Sequence, residues 1–95
     1  MITLYSLYQI ASEHNIEIID ITLKTSKAKI VEYSNQTCIA IDRKQLANTE
    51  EEQQIIKQCL GHYFSNSLYT LNSSEEIILN CNNVAKKWVC DNFDT

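Results

Sequence analysis

The sequence predicts an α+β fold in which a helix comes first, a small antiparallel sheet of three strands follows, and two helices complete the order. Apolar residues recur at helical spacing near the start, β-branched residues cluster in the middle, and two helix-capping patterns open amphipathic stretches in the second half. The 95 residues are 44% hydrophobic and include one Gly and no Pro. Because disordered chains are poorer in apolar residues, we expect one globular domain over residues 1–95.

The first helix is predicted from an apolar face near the start of the chain. The spacing predicts a helix over residues 2–13 that ends near His14 and Asn15, where polar residues interrupt the pattern. The residues that share this face are Leu4, Leu7, Tyr8 and Ala11.

Three extended segments follow the first helix. β-branched residues dominate the run between Ile16 and Leu23, and residues 29–33 and 37–42 have the same character. The polar segment 34–36 between the last two runs predicts a hairpin turn. We therefore expect three antiparallel strands.

Two helices are predicted in the second half, each opened by a capping box, in which a Ser or Thr and a Glu three residues later bond the free N–H groups of the first turn. Thr49 opens a helix over residues 50–65, and Ser73 opens a helix over residues 75–91. The first of these helices has an apolar face of Ile55, Ile56, Cys59, Leu60, Tyr63 and Phe64. The second has Ile77, Ile78, Cys81, Val84, Ala85 and Trp88.

The charge balance argues against direct nucleic-acid binding. Eight basic and twelve acidic residues give a formal net charge of −4, and the lysines are dispersed, whereas phosphate contacts need clustered cations. The start of the chain has no basic region followed by an apolar run. We therefore expect no leader peptide, no membrane span and a cytoplasmic location.

The four cysteines are expected to be reduced thiols. Without an export signal they do not predict a disulfide framework, and their spacings contain no CxxC pair, which argues against a zinc ribbon. A free cysteine usually packs as a small core residue. The four positions are Cys38, Cys59, Cys81 and Cys90.

The segment 55–64, with the sequence IIKQCLGHYF, carries a family resemblance. It resembles the zinc helix of ImmA/IrrE metallopeptidases, which reads H-E-L-G-H followed by an aromatic residue. Residues 60–63 fit this motif, whereas Gln58 stands at the first histidine and Cys59 at the glutamate. The segment is therefore similar to a degenerate HExxH motif.

Three further segments share this resemblance. Residues 4–21 are similar to the LYxxAxxxxI opening of short phage-type members, and residues 38–42 are similar to the strand before their zinc helix. Residues 82–88 resemble the ExxAxxW segment that supplies an acidic zinc ligand, and Asn82 takes the place of that acid. The resemblance implies a minimal zincin-like core.

The substitutions remove the chemistry of the motif. In HExxH, two histidines bind zinc from one helix face and the glutamate acts as general base on the metal-bound water. Only His62 is retained; Gln58 offers a neutral amide, and Asn82 lacks a carboxylate charge. Cys59 stands where the general base should be. We therefore expect no catalytic residue, no bound metal and no cofactor.

Two other interpretations of these residues compete with this one. Cys59 and His62 could hold a structural metal together with Cys81 from the last helix, although reduced cysteines on apolar helix faces are more often packing residues. His62 alone is expected to be a buried, hydrogen-bonded histidine, and His14 a polar group at a helix end.

The resemblance implies a protein of a phage or mobile element that binds a host or phage protein. Active members cleave repressors, so a member without its zinc site could act as an anti-repressor or as an inhibitor of host defence, including CRISPR effectors. The alternative is a residual or altered zinc metallopeptidase that cleaves a repressor. Oligomeric state is not determined by the sequence.

Candidate residues for partner binding combine clustered charge with aromatic side chains outside the predicted core. Acidic clusters can accelerate association, and large aromatic residues contribute most to interfaces. The candidates are Glu50, Glu51, Glu52, Tyr69 and Phe93.

Overall fold

The computed structural model describes residues 3–24, 26–67 and 73–93. The chain divides into two compact units, residues 2–56 and residues 57–95. The predicted α+β class and the predicted order of elements are confirmed. The elements are α1 (Leu4–Glu13), β1 (Ile16–Asp20), β2 (Ala28–Tyr33), β3 (Gln36–Ile41), a 3₁₀ turn (Arg43–Gln45), α2 (Thr49–Phe64) and α3 (Glu75–Asn92).

The sheet of the first unit is mixed, and the prediction of a fully antiparallel sheet is wrong for one pair. The strand order is β1-β3-β2, with β1 parallel to β3 and β2 antiparallel to β3. β1 and β2 are therefore not direct neighbours. β3, which follows β2 in a hairpin, lies between them and pairs with both. Beyond the strands, the Ile21 N–H donates to the Ile41 carbonyl at 3.0 Å, and the Asp42 N–H donates to the Lys27 carbonyl at 2.9 Å.

The hairpin between β2 and β3 closes with two residues. Ser34 and Asn35 have φ values of 50° and 64°, which is the combination that a type I′ turn requires. Asparagine tolerates this left-handed region better than most residues. Gln36, predicted in the turn, is the first residue of β3 and pairs with Tyr33.

Both helices of the second half are capped by a residue one position away from the predicted cap. The Asn48 side chain accepts from the Glu51 N–H at 2.9 Å, and the Glu51 carboxylate accepts from the Ala47 N–H at 3.0 Å. Ser74 accepts from the Ile77 N–H at 3.3 Å. Neighbouring polar residues followed by several glutamates offer more than one cap, so the local pattern alone does not choose between them.

The core of the first unit follows the two periodicities of its elements. Leu7 and Ala11 are buried on α1, one helical turn apart, while Ile39 and Ile41 are fully buried on one face of β3. Ile16 of β1 is also buried.

Asp42, directly after β3, is a buried carboxylate that organises the 21–27 connection. It accepts from the Gln45 side-chain amide at 2.9 Å and from the Leu23 N–H at 3.0 Å, and also from the Lys44 N–H at 3.3 Å. The Gln45 bond, followed by the Leu23 bond, lowers the pKa of Asp42 below its ordinary value.

In the second unit, α2 and α3 approach closely at the single glycine of the chain. A Cβ atom on Gly61 would lie 2.7 Å from Cγ2 of Val89 and 2.8 Å from the carbonyl oxygen of Ala85. A ring stack lies in the same unit, with Phe64 parallel to Trp88 at 5.0 Å between centroids. No helix in the described part of the chain has the length and apolar character needed to cross a membrane.

Candidate functional site

Gln58 and His62 face each other on α2, as the i and i+4 positions of the degenerate motif require. Nε2 of the Gln58 amide lies 3.4 Å from Nε2 of His62. In an HExxH helix the corresponding pair would both turn nitrogen lone pairs toward a zinc ion. Here the Gln58 amide is directed at the His62 imidazole, so the two side chains contact each other.

The second ring nitrogen of His62 identifies the tautomer of its neutral form. Nδ1 lies 2.9 Å from the carbonyl oxygen of Ser67. Because a carbonyl can only accept, Nδ1 carries the hydrogen and donates. Nε2 of the neutral imidazole is then an acceptor, and the Gln58 NH₂ group is its donor. A backbone carbonyl that orients the remote ring nitrogen is also the arrangement found around metal-binding histidines.

The turn after α2 places the Ser67 carbonyl. Asn66 has a φ of 56°, which reverses the chain direction at the helix end. The Ser67 N–H donates to the His62 carbonyl at 3.0 Å, and the Ser65 hydroxyl donates to the Gly61 carbonyl at 2.6 Å. His62 is therefore bonded to the turn through both its backbone and its ring, and only 6% of the residue is exposed.

Cys59 occupies the glutamate position of the motif as a buried thiol. Burial raises its pKa to about 12. The thiol is therefore protonated at neutral pH, whereas a cysteine that binds zinc or acts as a general base must be a thiolate.

Asn82 lies on α3, as predicted, and is partly exposed. Within the residues that the structure describes, no three His, Cys, Asp or Glu side chains are grouped so that they could hold a metal ion. The geometry therefore offers no support for the alternative metal site of Cys59, His62 and Cys81.

The acidic candidates at the start of α2 differ in their surroundings. Glu50 is exposed. Glu51 forms an ion pair with Lys27 at 3.0 Å in addition to its cap bond. Glu52 accepts from the Tyr8 hydroxyl at 2.6 Å and lies 3.6 Å from Nε of Arg43. Only Glu50 of the three has no hydrogen bond or ion pair shown among the described residues.

A polar cluster around Arg43 lies in the first unit and is not evident in the sequence. Arg43 donates to the Tyr8 hydroxyl, lies near Glu52, and forms an ion pair with Asp20 at 3.5 Å. Burial, followed by the hydrogen bond to Glu52, raises the pKa of Tyr8. The cluster joins α1, β1, the 3₁₀ turn and α2. Its members are far apart in sequence, so no local pattern signals it.

The aromatic candidates for partner binding are Tyr69 and Phe93. Tyr69 lies outside the described residues. Phe93, the cap residue of α3, is partly buried and meets the Trp88 ring edge-on at 5.1 Å between centroids. Phe93 therefore contributes to the ring stack of its own unit, which leaves less of its surface for a partner.

Comparison with known proteins does not assign a family. No protein-family model matches the chain, and no curated protein and no solved structure matches it significantly. The resemblance to ImmA/IrrE metallopeptidases therefore depends on the sequence motifs alone.

Proposed function

We propose that this chain is a non-catalytic, ImmA/IrrE-like protein of a phage or mobile element that acts in the bacterial cytoplasm by binding a host or phage protein. It would serve as a regulator or inhibitor, of the anti-repressor or the anti-defence (anti-CRISPR) type. The observation that carries this proposal is the contact between Gln58 and His62, which fills the place of the metal-binding pair.

The residue types at the zinc-ligand positions of the motif support the absence of catalysis. A zinc site for hydrolysis needs three protein ligands and an open position for water. Gln58 provides a neutral amide, and its NH₂ group donates to the one nitrogen of His62 that could bind metal. Asn82 provides a second neutral amide. Neither amide supplies the charge or the basicity that zinc prefers.

The position of the general base supports the same conclusion. A glutamate there would take a proton from the metal-bound water at neutral pH. The Cys59 thiol, with a pKa of about 12, already holds its proton at that pH. A buried neutral thiol contributes to packing, so the fold would be retained while the reaction is lost.

One observation favours the second candidate, an altered zinc metallopeptidase that cleaves a repressor. The Ser67 carbonyl holds the His62 ring by Nδ1, as it would for a ligand that binds metal through Nε2. The two candidates differ in whether zinc binds and whether a partner is cut.

Zinc content separates the two candidates. We expect the purified chain, dialysed against zinc and then against buffer, to contain well below one zinc per chain. The double variant Gln58→His, Asn82→Glu restores two ligand types and should bind zinc if positions 58, 62 and 82 converge. Gln54→His, at an exposed position of α2, is the matched control and should not bind zinc.

Capture from a bacterial host lysate tests the partner role. We expect an intact protein to copurify with the chain, and its amount and length to be unchanged by a chelator. Stoichiometric zinc in the wild type, removed by His62→Ala, together with chelator-sensitive cleavage of the captured protein, would establish the metallopeptidase instead.

A further inference from the structure

We draw no further inference here: the strongest candidate, the exposed apolar patch of Ile77 and Val84 on one side of α3, carries none, because nothing in the described part of the chain shows what covers it.

Discussion

His62 has a different partner at each ring nitrogen. Nδ1 donates to the Ser67 carbonyl at 2.9 Å, and Nε2 faces the Gln58 amide at 3.4 Å. The first contact has the length of a normal hydrogen bond, whereas the second lies near the limit. At the scale of the residue, His62 therefore links the end of α2 to the following turn through Nδ1, and its Nε2 faces a neighbouring amide.

Replacing His62 should affect stability through the Ser67 carbonyl. We expect His62→Ala to lower the free energy of unfolding by about 1–3 kcal/mol, because a buried acceptor loses its donor. In His62→Asn the side-chain amide can take the place of the Nδ1 donor, so part of the loss should be recovered. Urea denaturation measures both values.

Gln58→Ala is the matched comparison for this prediction, since it removes only the longer contact of His62. Its effect should be smaller than that of His62→Ala, and equal effects would contradict the hydrogen-bond assignment. A His62→Ala variant that stays folded but loses partner binding would place the function at His62 and not on the outer surface.

The carboxylate of Asp42 should make the free energy of unfolding depend on pH in the acidic range. Its pKa is lowered in the folded state by the bonds from Gln45 and Leu23, so the folded state binds a proton less readily than the unfolded state. The resulting stabilisation is complete above the unfolded pKa of about 3.9 and is lost as the pH falls through the lower folded value.

Melting temperatures between pH 7 and pH 3 test this contribution. Asp42→Asn should melt at a lower temperature than the wild type at pH 7, because the amide cannot replace both carboxylate oxygens. The difference should shrink toward pH 3. Asp91→Asn, at an exposed position of α3, is the control and should melt close to the wild type at pH 7. A constant difference for Asp42→Asn across the range would refute the titration of Asp42 as its cause.

At the scale of the elements, the contact between α2 and α3 opposes helix propensity at Gly61. An alanine in a helix interior is favoured over glycine by about 1 kcal/mol. The added Cβ would meet the Ala85 carbonyl oxygen at 2.8 Å and Cγ2 of Val89 at 2.7 Å. The Val89 side chain can rotate, but the Ala85 backbone can move only if the helix moves.

We therefore expect Gly61→Ala to destabilise the chain by about 1–3 kcal/mol, since overpacking costs more than the propensity gain. Thermal unfolding measures the effect. Gln54→Ala, at an exposed position of α2, reports propensity without this contact and should be neutral or slightly stabilising. If Gly61→Ala also raises the melting temperature, α2 and α3 do not approach at this point.

At the scale of the whole molecule, the acidic residues at the start of α2 contribute both to the surface charge and to the stability of the fold. Glu50 is exposed, whereas Glu52 has a side chain that is 15% exposed and bonds Tyr8. Reversing the whole triplet would therefore change stability together with surface charge. Single variants keep the two effects apart.

Glu50→Lys should slow association with a captured partner in a salt-dependent manner while the melting temperature stays within about 2 °C, as expected for an exposed residue. Glu52→Lys should lower the free energy of unfolding by about 1–3 kcal/mol, because the Tyr8 hydroxyl loses a charged acceptor and Arg43 gains a like charge. Association kinetics at two ionic strengths and thermal melts measure these effects. A partner that binds Glu50→Lys as fast as the wild type at low salt does not use this surface.

Helix and strand positions were predictable because they depend on residues that are close in sequence. Apolar spacing located α1, α2 and α3 to within one or two residues, and the β-branched runs located the strands. The amides at positions 58 and 82 are likewise visible in the sequence, and a neutral amide is a weaker zinc ligand than an imidazole or a carboxylate.

Tertiary structure decided what depends on residues far apart in the chain. The alternation of apolar and polar residues along a strand does not indicate which other strand it pairs with or in which direction. The parallel pairing of β1 with β3 was therefore not predictable. The engagement of Glu52 by Tyr8 and Arg43 joins positions that only the fold brings together. Likewise, the turn that delivers the Ser67 carbonyl to His62 fixes which ring nitrogen donates, because a tautomer follows from the partner and not from the residue.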